Sequence, residues 1–343
     1  MILLYVTFYL FALFAEQLKE IDKRNVLILT CVVLVFIAGL RNPEHWADTG
    51  VYVMSFNDFT NPIYDWSMID QPYGYSEYGF YFLGVIFKTF SSNVTAYLTF
   101  IAALSFIFLY KDFRRYCIYP LFGVCAYIAR FYTARNFVQI RAGLSYAIVL
   151  WAVQYITKRD WKRYFLWVFI AYLFHHSAIV AVPLYFLCLI RIKKWHIAVG
   201  IAIAFVLGGV FTEQVRALVG DYASDVAYTY VQEYKQREWG LTNPVIYFQL
   251  VVLFLYTKNE NLLKNASKDY YTIRTTYFYS TFILIAISMF TELAGRTASM
   301  FATLEMAIIP SMINTFYKNT RWIAYIGMGA VFALIFYMNM VTK

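Results

Sequence analysis

Charge is what this sequence has least of: only 14% of its 343 residues are Asp, Glu, Lys or Arg, against 61% hydrophobic. A chain so poor in charge cannot cover a water-soluble surface, which excludes an ordinary globular domain. Cysteine and histidine are scarce too, with four of each. Cys31, Cys117, Cys125 and Cys188 all stand in apolar stretches without a CxxC pair, so they supply neither a disulfide framework nor a zinc site. His175 and His176 are adjacent and would point in different directions on a helix, so a metal centre is not expected. No basic run reaches the length of a nucleic-acid-binding arm, so no nucleic-acid partner is expected. GxxxxGK[ST] and GxGxxG are both missing, and a nucleotide is therefore not the implied ligand.

What the chain has is apolar length and aromatic rings, with 32 Phe, 32 Tyr and 8 Trp. Its apolar runs, from residues 1–15 to 322–341, predict an all-α polytopic membrane protein with about twelve crossings, in a range of 10–13. Residues 1–343 read as a single integral membrane domain. The first run lacks a basic n-region and a clean cleavage site, and is expected to be retained. The shorter run 79–90 is taken as interfacial or re-entrant, because counting it as a crossing would put alternate basic loops on the wrong side. Six loops on one side then hold 19 of the 29 basic residues but only 7 of the 20 acidic ones. That bias places them in the cytoplasm and both termini outside.

Two long outward segments follow, 41–93 with the short run inside it and 212–243. The first sets Arg41 among Glu44, Asp48, Asp58, Asp65, Asp70 and Glu77, with Trp46, Tyr52 and Tyr78 among many rings. Carboxylates that accept from sugar hydroxyls beside flat aromatic faces make a carbohydrate groove; an interfacial aromatic belt with solvated acids has the same composition. Arginines on the outward half run against the charge rule. Arg41, Arg130, Arg135, Arg141, Arg216, Arg237 and Arg296 all fall there. Arg141 lies about five residues past Asn136, roughly 6–8 Å below the outer end of its helix, and Arg296 follows Glu292 by one helical turn. Charges at such depth face a partner or a polar cavity. Guanidinium forks match the oxygens of a phosphate or pyrophosphate, and rings with acids match a glycan. Glu305, the one acidic residue deep inside a run, is expected to be the buried partner of an arginine on another helix.

These residues carry a resemblance. Gly39-Leu40-Arg41 followed by Asp48 and Tyr52, Glu77 with Gly79-Phe80, and 136–144 from Asn136 through Arg141 are similar to the EpsG/Wzy-type polysaccharide polymerases of bacterial envelope assembly. Phe174-His175-His176-Ser177-Ala178, Pro183-Leu184-Tyr185, and Gly295-Arg296 ahead of Pro310 continue it, so that it spans about 25–320. One departure is Ala142, where many relatives have Gln after the arginine. The resemblance implies a GT-C-like membrane glycosyltransferase bundle in the bacterial inner membrane, working at its outer face. It implies undecaprenyl-pyrophosphate-linked oligosaccharides as donor and acceptor, no cofactor, and a chain-length regulator among the partners.

The expected site therefore has Arg41, Arg135, Arg141 and Arg296 on the pyrophosphate, Asp48, Glu77 and His176 as candidate bases, and Trp46, Tyr52 and Tyr78 along the glycan. The rival readings are a flippase or transporter of the same lipid-linked glycan, an O-antigen ligase, and an acyltransferase. A transporter keeps its polar residues near the midplane, whereas here they gather at one mouth. The topology predicts that an impermeant thiol reagent labels a single cysteine introduced at Asp58 in intact cells, and one at Trp161 only after permeabilisation. The opposite pattern reverses the assignment.

Overall fold

The structure is a computed structural model and describes residues 2–46, 48–66, 77–211, 214, 239–267 and 269–341. Among them every regular element is helical, the form in which a backbone satisfies its own hydrogen bonds in lipid. In chain order come α1 (Ile2–Ala15), α2 (Glu20–Gly39), α3 (Thr49–Asp58), α4 (Tyr78–Phe90), α5 (Val94–Tyr116) and α6 (Pro120–Tyr127). A π-helical segment (Ile128–Val138), α7 (Ile140–Thr157), α8 (Trp161–Phe174) and a 3-10 turn (His176–Ala181) follow. Then come α9 (Val182–Leu189), α10 (Lys194–Gly209), α11 (Pro244–Lys258), α12 (Glu260–Ala266), α13 (Tyr270–Ala286), α14 (Thr291–Ala302), α15 (Glu305–Ser311) and α16 (Arg321–Val341). Residues 67–76, which include Asp70, and 215–238, which include Arg216 and Arg237, lie outside the described residues.

Among the described residues two helices are long and apolar enough to cross a membrane, Val94–Tyr116 and Lys318–Met340, and five shorter apolar ones run 10–17 residues. The expected run 297–317 breaks at Thr303, between α14 and α15, and 177–190 opens with a 3-10 turn. Polar residues stand at these breaks: Thr303 Oγ1 donates to the Met300 carbonyl at 2.8 Å, and Ser177 sits beside His175. Helix starts follow local chemistry. Asn93 caps α5 by accepting from the Ala96 N–H at 2.9 Å, and Glu16 caps α6 by accepting from the Leu121 N–H at 2.6 Å, with Pro120 in the first turn.

The chain divides into two compact units, Met1–Val182 with Glu305–Lys343, and Pro183–Leu304. In the first, α2 and α7 pack on α5, and α7 lies along α8, where Ser145 Oγ donates to the Ala171 carbonyl at 2.9 Å. There α15 packs on α6, and α16 runs against α1 and the π segment. In the second unit α13 is central, packed by α10, α11 and α14. Ser280 Oγ of α13 donates to the Ala298 carbonyl at 2.8 Å.

The π segment leads directly into α7. Its last turn closes with the Gln139 N–H donating to the Ala134 carbonyl at 2.7 Å, five residues back. The chain then doubles so tightly that a Cβ at Gly143 would lie 2.4 Å from the Arg135 carbonyl oxygen. Backbone cannot yield there as a side-chain tip could. Gly143→Ala is expected to destabilise the protein by about 1–3 kcal/mol, read as a lowered unfolding midpoint in detergent.

Candidate functional site

Four stretches of the first unit converge where α2 ends, α3 and α4 begin, and the π segment passes into α7. Arg141 comes from the first turn of α7 and Glu77 is the residue that precedes α4. Sixty-four positions apart in the chain, they form an ion pair through Arg141 Nη1 and Glu77 Oε2. Glu77 is 4% exposed, so its charge requires a partner of this kind. Tyr52, on α3, completes the cluster: Arg141 Nε donates to its hydroxyl at 3.4 Å, and the guanidinium carbon lies 5.4 Å from its ring centre. Burial raises the Tyr52 phenol above its ordinary pKa, the Arg141 charge lowers it, and Asp48 and Glu77 push it up again. One hydroxyl therefore senses two carboxylates and one guanidinium.

Gly79 explains how Glu77 reaches this place. A Cβ there would sit 2.6 Å from the Leu173 carbonyl oxygen, so only glycine lets α4 close onto α8. That contact brings the end of α8 alongside Glu77. The backbone of His175 is extended, and its Nδ1 lies 3.8 Å from Glu77 Oε1. The same Nδ1 accepts from the Ser177 N–H at 3.2 Å and lies 3.1 Å from Ser177 Oγ. Since a backbone N–H only donates, Nδ1 is the accepting nitrogen of His175 in this arrangement. Ser177, His175 and Glu77 thus have the composition of a nucleophilic triad without its geometry, because one nitrogen faces both partners. Ser177 Oγ also reaches the Tyr146 hydroxyl, at 3.3 Å.

The expected bases are placed differently from one another. Asp48 is half-buried at the start of α3 and, among the described residues, makes no ion pair and no side-chain hydrogen bond. Glu77 is committed to Arg141. His176 stacks on Tyr172 with ring centres 4.8 Å apart, away from Glu77, and it is His175 that the fold turns inward. Helical periodicity hid this choice, because α8 stops at Phe174, His175 is extended and His176 opens the 3-10 turn. Tyr146 carried no sequence signal, and Ser177 stood only as a member of the stretch from Phe174 to Ala178 that carries the resemblance.

The expected arginines also separate. Arg41 donates to the Ala38 carbonyl and, at 3.4 Å, to Thr49 Oγ1; Thr49 in turn donates to the Phe137 carbonyl at 2.5 Å. It therefore fastens α2, α3 and the π segment together. Burial lowers its pKa to about 10, against the pull of Tyr132 and Tyr52, and it stays charged at neutral pH. Arg135 is buried, its guanidinium carbon 4.2 Å from the Phe131 ring centre and 5.2 Å from that of Tyr146. Arg130 pairs with Glu305 at 2.6 Å, so the expected partner of Glu305 is an arginine of another helix. Arg296 belongs to the second unit, where its Nε lies 3.6 Å from Glu292 one turn earlier, as the spacing predicts.

Among the aromatic residues, Trp46 packs on Phe137 at 4.7 Å between ring centres, and Tyr78 is 63% exposed. The Tyr52 ring is buried against Phe80, so its hydroxyl and not its face belongs to the site. No group of three or more His, Cys, Asp or Glu among the described residues is placed to hold a metal.

Comparison with protein families settles the relationship, because the profile of the EpsG family matches residues 24–343. The chain belongs to the EpsG family. It is thereby a helical membrane protein of a polysaccharide-polymerase type, and the family match takes in both units. No curated protein and no solved structure matches it.

The ion pair between Arg141 and Glu77 has a measurable weight in this EpsG-family chain. Glu77→Ala leaves a mostly buried guanidinium without its carboxylate and is expected to cost about 3 kcal/mol. Adding Arg141→Leu should recover part of that loss, whereas strictly additive midpoints in detergent would mean that the pair contributes no coupling.

Proposed function

We propose that this EpsG-family protein polymerises lipid-linked oligosaccharide repeat units, transferring a growing glycan from its polyprenyl pyrophosphate to the sugar hydroxyl of an incoming unit at the outer face of the bacterial inner membrane. The main support is the meeting of Arg141, Glu77, Tyr52 and Asp48 at one place in a chain of this family. Arginine held by a carboxylate and a phenol is oriented before substrate arrives. Preorganisation of this kind counts most where charge develops.

In the proposed step the acceptor hydroxyl oxygen attacks the anomeric carbon, and the bond from that carbon to the pyrophosphate oxygen breaks. The electron pair leaves with the pyrophosphate, whose growing charge Arg141 stabilises more in the transition state than in the ground state. The hydroxyl proton passes to Asp48, a carboxylate that makes no ion pair among the described residues. Glu77 holds Arg141, and Arg135 on its aromatic platform adds positive potential. Arg41 contributes chiefly by fixing the end of α2. Arg296, expected on the same anion, lies in the second unit and has no part in this step. Trp46 and Tyr78 are candidates for stacking on the glycan. A single displacement of this sort inverts the anomeric centre and needs no covalent intermediate.

In cells that depend on this protein for surface polymer, Arg141→Ala should insert normally and lower polymer formation by about 100-fold or more. Asp48→Asn should lower it by a similar factor, with unfolding unchanged. A normal ladder from either variant on a glycan gel would remove that residue from the mechanism.

A further inference from the structure

The second unit carries a cationic cluster that the glycosyl-transfer reading does not use. At its centre is Glu260, the first residue of α12, whose carboxylate receives Arg274 Nη1 at 3.0 Å and the Tyr271 hydroxyl at 3.0 Å. Lys194 Nζ stands 3.7 Å from the same carboxylate. The Tyr271 hydroxyl in turn accepts from Arg191 Nη2 at 2.9 Å. Both guanidinium groups also lie on the Tyr271 ring, Arg191 at 4.7 Å and Arg274 at 5.2 Å from its centre. Three cations thus gather about one carboxylate, and Lys193 adjoins them.

One of the three suffices for the fold. Arg274 is 1% exposed, neutralises Glu260 and donates to the Ile192 carbonyl at 2.5 Å; its Nε has no acceptor among the described residues. Burial alone would raise the pKa of Glu260, yet the Tyr271 hydrogen bond and the charges of Arg274 and Lys194 hold it below the ordinary range. The carboxylate is therefore over-supplied with positive charge. Arg191 and Lys194 are exposed, and each has N–H donors beyond the one it directs at Tyr271 or Glu260. Large apolar side chains flank them outward, Ile190 on one side and Trp195 on the other. Exposed cations level with an exposed Trp and aliphatic residues mark the depth of lipid headgroups.

We infer that Arg191 and Lys194, braced by Tyr271 and Glu260, bind the phosphate of an anionic membrane lipid. Arginine offers the forked donors that phosphate oxygens accept, and lysine adds a mobile point charge.

The test uses the full chain in nanodiscs of phosphatidylcholine, with and without phosphatidylglycerol, and reads the unfolding midpoint. Phosphatidylglycerol should raise the midpoint by several degrees, and Arg191→Gln with Lys194→Gln should abolish that rise, measured against the double variant's own midpoint in phosphatidylcholine. A control pair on the exposed start of α8, Lys162→Gln with Arg163→Gln, should keep it. Inorganic phosphate added to phosphatidylcholine discs separates the two sources of the anion: no rise supports the headgroup, and a full rise assigns the site to free phosphate. Loss of the rise in both double variants alike, or its absence in the unaltered chain, overturns the proposal. Since the readout is stability and not polymer, its failure is distinct from failure of the polymerase reading.

Discussion

The first unit is organised around one buried ion pair. Arg141 and Glu77 reach each other from the starts of α7 and α4, and each is costly in an apolar surrounding without the other. Several local features make sense only with that meeting in view. Gly79 lets α4 close onto α8, Gly143 lets the start of α7 fold back against the π segment, and the buried Tyr52 presents its hydroxyl to the guanidinium. The pair also sets the two carboxylates apart, since Glu77 is bound to Arg141 whereas half-buried Asp48 makes no ion pair among the described residues.

Much of this was legible in the sequence as a list of members, and little of it as a set of partners. Arginines on the outward half violate the charge asymmetry of membrane loops, and that violation alone singled out Arg41, Arg130, Arg135 and Arg141. Their fates then diverged for reasons of packing. Arg130 found Glu305, Arg41 was taken up by backbone and Thr49, and Arg135 settled on Phe131 and Tyr146. A spacing of 64 residues between Arg141 and Glu77 has no periodicity to betray it. Nearest-neighbour pairs were readable, as with Glu292 and Arg296 one turn apart.

Helix ends were the other blind spot. An apolar run suggests one continuous crossing, but the helix can end inside or beside it, as at His175 and Thr303. The same interruption decides which histidine turns inward. At His175 the extended backbone, and not a helical angle, sets the side-chain direction, so His175 approaches Glu77 while His176 stacks on Tyr172. The π segment was equally hidden, because its residues differ little in composition from an ordinary helix and its effect is geometric.

The account's central claim is that this protein lengthens a glycan using the energy of a lipid pyrophosphate bond. The most direct test gives the purified protein in liposomes a lipid-pyrophosphate-linked repeat unit as sole substrate, without nucleotide, and resolves the products by gel. A ladder of longer glycans on lipid is the predicted result. An authentic substrate that stays a single repeat while passing between leaflets would contradict the claim and favour a transporter.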